Sequence, residues 1–205
     1  MAKVGRPSNA ASRRQEVLSA AVDVFSQRGY RGTSMNEIAV ASGLSKPTLY
    51  HYFDSKEEIL VRLYEDLMER SVAEAIAISD EVDDPIEAFR ALIVQRVVAT
   101  CTNQAMHKVF FEEEEELPRH MMDRLLKHRH DYEGILKDVL HRLTTRYRSS
   151  ATLDVTMYVN TCLGAANWVY KWYDPHGSLT PEQIGNQIAA YLLASLNTDP
   201  HTVSL

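Results

Sequence analysis

An all-helical fold, with a small three-helix head at the N-terminus and a larger helical body behind it, is what this chain predicts. Three observations carry that expectation. Glycine and proline are few, 8 and 7 in 205 residues, and alternating β-branched runs are scarce. Apolar residues recur at helical spacing along most of the length. Capping signals stand just ahead of these runs: Ser34 with Glu37, Ser55 with Glu58, Asp84-Pro85, and Thr180-Pro181 with Gln183. The pattern divides into about nine helices.

Residues 1–11 are polar and carry Lys3 and Arg6, a composition that suits either a minor-groove arm or a solubilising tail. A first helix is expected over residues 12–28, with Val17, Leu18, Ala21, Val24 and Phe25 on one face and Gly29 after its end. The second, Met35–Ala41, is opened by the Ser34/Glu37 capping box. Ser42-Gly43-Leu44 is then a sharp turn, because Gly43 takes positive φ without steric cost. Ser45 caps a third helix, Lys46–Tyr52, with Pro47 where early N–H groups have no intrahelical partner. Two short helices joined by such a turn, the second exposed, basic and hydroxylic, form a helix-turn-helix that reads a major groove.

A fourth helix should run from Ser55 to about residue 78, too long for the head alone. A fifth follows Asp84-Pro85 over residues 86–102, and a shorter sixth spans residues 104–111. Glu112 to Glu116 reads as a solvated helix end, since five adjacent carboxylates repel one another. Residues 119–147 and 152–173 give a seventh and an eighth helix. Thr180 caps a ninth, with Ile184, Ile188, Tyr191, Leu192 and Leu196 in period.

Charge is distributed unevenly. The net charge is −6, but residues 1–56 hold eight basic against four acidic side chains (+4), and the rest hold 14 against 24 (−10). A basic end on an acidic body suits a phosphate-facing head and a body that repels DNA. Cys101 and Cys162 lack metal-binding spacing and are expected as buried free thiols. His120, His128, His130 and His141 share one helix without an i, i+4 pair, so no metal is expected. There is no phosphate-binding glycine loop, nucleophile elbow or paired Cys/His site, so no enzyme and no cofactor are expected. No apolar run reaches membrane-spanning length and the N-terminus lacks a signal-peptide apolar region, which predicts a cytoplasmic protein.

The run Ser45-Lys46-Pro47-Thr48-Leu49-Tyr50-His51-Tyr52-Phe53-Asp54-Ser55-Lys56-Glu57-Glu58-Ile59-Leu60 resembles the TetR family of bacterial transcriptional regulators. The likeness extends from Ser12 to about Leu63, with His51-Tyr52 where many members have Tyr-His. It implies a DNA-binding domain over residues 1–56 and a ligand-binding and dimerisation domain over 57–205, bound as a homodimer to a palindromic operator. By chemistry, Lys46 and Thr48 can reach base edges, and Tyr50, His51, Lys56 and Thr33 suit phosphates. Ser34, Ser45 and Pro47 complete the DNA-facing set.

The terminal helix pair is apolar enough to bury one face in its own body and another in a partner. Val155, Val159, Cys162, Ile184, Ile188, Tyr191 and Leu192 are the interface candidates. Bulky or polar side chains that interrupt apolar faces are pocket candidates: Met106, Phe110, Met122, Asn160, Asn167, Trp168, Lys171, Trp172 and Tyr173. The segment from Trp168 to Tyr173, followed by Pro175 and Gly177, resembles the TetR branch that senses acyl-CoA thioesters. That implies a thioester ligand near Trp168 and Lys171, with Lys where Arg is common. Two other readings stay open: a sensor of cationic or aromatic drugs, and an architectural or division-control protein whose body binds a protein partner.

Overall fold

The computed structural model describes residues 9–113, 117–147 and 154–196. Among them are nine α-helices: α1 Asn9–Arg28, α2 Met35–Ala41, α3 Lys46–Tyr52, α4 Lys56–Glu81, α5 Pro85–Thr102, α6 Gln104–Glu113, α7 Arg119–Tyr147, α8 Val155–Trp168 and α9 Pro181–Ser195. No helix among the described residues is long and apolar enough to cross a membrane. Contacts divide the chain into two compact units. One is Met1–Asp66 with Ala105–Leu125, and the other is Leu67–Gln104 with Leu126–Leu205.

In the first unit, the helix ends form as the local chemistry dictates. Gly29 (φ 73°) closes α1 through its N–H to the Phe25 carbonyl. Ser34 and Glu37 complete the capping box of α2. That contact to the Ser34 N–H and then the Ser34 hydroxyl hold the Glu37 carboxyl below its ordinary range against an opposing effect of burial, with the Arg28 charge adding less. At the other end of α2, Leu44 N–H reaches Ala39 O and Gly43 N–H reaches Val40 O, the paired bonds of a Schellman turn around Gly43 (φ 67°). Val17, Leu18, Ala21, Phe25, Ile38, Ala39, Leu49 and Phe53 are buried and make a small core. Tyr64 of α4 stacks on Phe110 of α6 with centroids 3.6 Å apart and planes at 5°. Arg124 of α7 grips the buried Glu65 through two bonds of 2.8 and 2.7 Å.

The second unit is built around α5. Asp84 caps it, accepting from Ile86 and Glu87, with Pro85 in the first turn. Phe89, Leu92 and Ile93 pack with Tyr132, Leu136, Val139 and Leu140 of α7 and with Val159 and Cys162 of α8. On another side α9 lies so close that a Cβ on Gly185 would stand 2.8 Å from Val94 Cα.

Two elements end differently from the sequence expectation. Helix α4 continues three residues past 78, to Glu81, before the Asp84-Pro85 break. Helix α8 is shorter than residues 152–173. Asp154 captures the Met157 N–H and sets its start, and Thr152 lies outside the described residues. At its far end the chain tightens into a 3₁₀ turn, Val169–Lys171, while Gln104 Nε2 donates to the carbonyls of Tyr170 and Tyr173 at 3.1 and 2.7 Å. A distant amide thus satisfies carbonyls that another helical turn would have used. Of the acidic run, Glu112 and Glu113 end α6, and 114–116 lie outside the described residues.

Two measurements test this packing. Gly185→Ala should force α9 off α5 and, after the gain in helix propensity, still cost about 1 kcal/mol or more. The thermal midpoint should drop by roughly 2–4 °C per kcal/mol for a chain of this size, and an unchanged midpoint would contradict the close crossing.

Burial, with Glu182 adding to it, pushes the Cys101 thiol up to about 11, and burial pushes Cys162 up to about 12. Folding raises both above the ordinary thiol value of about 8.5. Their contribution to stability is therefore whole below that pH and is lost as pH climbs toward 11 to 12. A thiol reagent should leave both cysteines of the native protein unlabelled at neutral pH and label both after unfolding. Fast native labelling would show that they are not enclosed.

Candidate nucleic-acid interface

The site begins with the exposed surface of α3. Ser45 caps it by accepting from the Thr48 N–H, and its hydroxyl lies 2.7 Å from Thr48 Oγ1, which orients that side chain. Leu49 is buried beneath, while Ser45, Lys46, Pro47, Thr48, Tyr50 and His51 are all exposed. Lys46 Nζ lies 5.9 Å from the Tyr50 ring centroid, and His51 meets Tyr52 edge-on at 5.6 Å. Ser34, exposed at the start of α2, is held by Glu37. The surface is cationic, hydroxylic and aromatic, and it can meet both base edges and phosphates.

Two residues expected at phosphates are engaged internally. Thr33 is buried, and its hydroxyl donates to the Gly29 carbonyl at 2.8 Å. The half-buried Lys56 donates from Nζ to the carbonyls of Tyr30 and Thr33, at 3.0 and 3.1 Å, and lies 4.5 Å from the Tyr30 ring centroid. It fastens the start of α4 to the α1–α2 connection. The reason lies in the fold: the connection offers the Tyr30 and Thr33 carbonyls within reach of this side chain, and the ammonium satisfies them.

The pocket candidates fall in both units. In the first, Phe110 is wholly buried, Met106 buried and Met122 half-buried. In the second, Trp168 and Trp172 are 59% and 52% exposed, Lys171 is exposed and Tyr173 is half-buried. Lys171 Nζ lies 6.0 Å from the Trp168 ring and 5.2 Å from that of Tyr170, a ledge of indole and cation. Asn167, half-buried beside it in the chain, accepts from Arg96 Nε at 2.7 Å. Asn160 is exposed in a shallow depression with Asp154, Thr156, Met157 and Thr161, away from that network. A separate groove of about 590 Å³ runs along α4 and α5, floored by Val94, Val98 and Ala99 and edged by Arg70, Glu74 and Gln95.

Among the interface candidates, Val159, Cys162 and Ile184 pack inside their own unit, and Ile188 and Leu192 are half-buried. Val155 and Tyr191 are exposed, Tyr191 by 72%, and so is Met157, which sequence periodicity had not singled out. Arg96 and Gln104 were also missed. Gln104 has no local signature, but Arg96 had one: it stands at the apolar spacing set by Phe89 and Ile93. Among the described residues no cluster of three or more His, Cys, Asp or Glu side chains could hold a metal ion.

Comparison with known proteins agrees with this geometry. Residues 82–196 match the family described as "Tetracyclin repressor-like, C-terminal domain", and residues 17–63 match "Bacterial regulatory proteins, tetR family". The HTH-type transcriptional repressor KstR2 of Mycolicibacterium smegmatis is 28% identical over 194 residues, 93% of each chain. The regulator PfmR from Thermus thermophilus superposes with a TM-score of 0.79 at 28% identity, over 87% of this chain and 97% of that one. AibR, solved in complex with isovaleryl coenzyme A and operator DNA, gives 0.76 at 25% identity, over 87% and 97%. With both halves matched, the chain belongs to the TetR family of bacterial transcriptional regulators.

Proposed function

We propose that the protein is a ligand-responsive repressor that binds a palindromic operator as a homodimer in the cytoplasm and leaves it when an acyl-CoA thioester binds the body. The observation that carries the DNA half is the exposed surface of α3; on this reading Lys46 and Thr48 meet base edges, and Tyr50, His51 and the Ser34 and Ser45 turns meet phosphates. The functional division falls at residues 1–56 for DNA and 57–205 for ligand and dimer. Dimerisation uses the outward sides of α8 and α9, where Val155, Met157 and Tyr191 are exposed and Ile188 and Leu192 half-buried.

The ligand half rests on the Trp168–Lys171 ledge, where an indole can cover adenine or an acyl face while an ammonium meets a phosphate. It is supported by the isovaleryl coenzyme A present in the AibR complex. The mechanism requires the ligand to prefer the spacing of heads that does not fit DNA. Because Lys56 ties the α1–α2 connection to α4, a shift of α4 carries the head with it.

The test is operator binding by the full chain, on a site selected from random DNA, with and without isovaleryl-CoA. Operator affinity should fall at least tenfold with the thioester and remain with free coenzyme A. Lys46→Ala should lose about 1–3 kcal/mol of discrimination between the selected site and scrambled DNA. An operator complex indifferent to every CoA thioester would reject the ligand half and leave the DNA half standing.

A further inference from the structure

Arg96 is a buried charge without a counter-charge among the described residues. It is 4% exposed, on the inner face of α5. Nε donates to Asn167 Oδ1 at 2.7 Å, Nη1 lies 3.4 Å from Met68 Sδ, and the guanidinium sits 5.3 Å from the Tyr132 ring centroid. All three partners are neutral, and among the described residues no carboxylate forms an ion pair with it. The acid across this region, Glu74, accepts from Gln95 Nε2 at 2.8 Å, and Gln95 Oε1 in turn takes the Tyr132 hydroxyl at 3.0 Å. A guanidinium stays protonated at any physiological pH. An amide oxygen, a thioether and a π face soften its burial but do not cancel its charge, and an anion reaching the guanidinium would offset that cost.

We propose that Arg96 and Asn167 form a carboxylate-recognising subsite of the body, so that the ligand carries a carboxylate at the end of its acyl group. This rests on the thioester reading above and sharpens it to ω-carboxyacyl thioesters. Asn167 links the guanidinium to the ledge. It is half-buried, follows Arg96 in the hydrogen-bond network and precedes the exposed Trp168 in the chain. A thioester held on the Trp168–Lys171 ledge directs its acyl group past Asn167, and the carboxylate takes the place of the Asn167 oxygen on the guanidinium fork. The amide then turns its NH₂ toward the second carboxylate oxygen. A neutral acyl group of the same length leaves the charge uncompensated.

The experiment compares glutaryl-CoA with pentanoyl-CoA, of equal chain length, by titration calorimetry on the full protein and on Arg96→Met and Arg96→Lys. The wild type should bind glutaryl-CoA at least tenfold more tightly. Arg96→Met should abolish that preference while keeping pentanoyl-CoA binding, and Arg96→Lys should keep part of it. The unliganded Arg96→Met protein should melt no lower than the wild type, since it sheds an uncompensated charge, whereas a merely structural brace would lower the midpoint by several degrees. Equal affinities in the wild type, or a preference that survives in Arg96→Met, overturns the subsite and leaves the thioester reading intact. If neither thioester binds, the comparison passes to free glutarate and pentanoate. A glutarate response that Arg96→Met removes keeps the subsite and rejects the thioester; no Arg96-dependent response to either acid rejects both.

Discussion

The recognition surface depends on one ammonium. Lys56 opens α4, where a positive charge opposes the helix dipole and local rules would place an acid. Its two bonds to the Tyr30 and Thr33 carbonyls and its position over the Tyr30 ring offset that penalty. The connection between α1 and α2 is thereby fixed to the first turn of α4, and α3 enters that turn through Phe53-Asp54-Ser55 with no slack. The orientation of α3 is therefore set by the orientation of α4's first turns. Arg124 adds a second hold on the same helix, through the two bonds that meet the buried carboxyl of Glu65.

The body obeys a different constraint. Helix α5 is surrounded, and its partners approach according to the size of the residue that faces them. At Gly185 the backbones of α5 and α9 nearly touch, whereas at Arg96 the neighbours are held back by a long charged side chain and its amide partner. One helix thus carries both a close backbone contact and a buried charge.

Helix starts were legible because a start is a local event: Ser34 with Glu37, Asp84-Pro85 and Thr180 with Gln183 each use partners within three residues, and each forms. The head was legible for the same reason, since Gly43 and Ser45 fix the turn on their own. What escaped were decisions made across the chain. The end of α8 is set by Gln104, 66 and 69 residues before its acceptors, and Lys56 is claimed by carbonyls 26 and 23 residues upstream. Periodicity said that Val159, Cys162 and Ile184 face something apolar, and it could not say that their own unit already supplies it.

The chain's 2 tryptophans, Trp168 and Trp172, lie one helical turn apart in sequence and are both more than half exposed. All indole emission of the protein therefore originates within one five-residue segment, from two rings in contact with water, one of them beside the Lys171 ammonium. The molecule carries its own optical gauge: whatever covers this segment, small molecule or second subunit, removes water from an indole and moves the emission to shorter wavelength. No label is needed to watch the site fill.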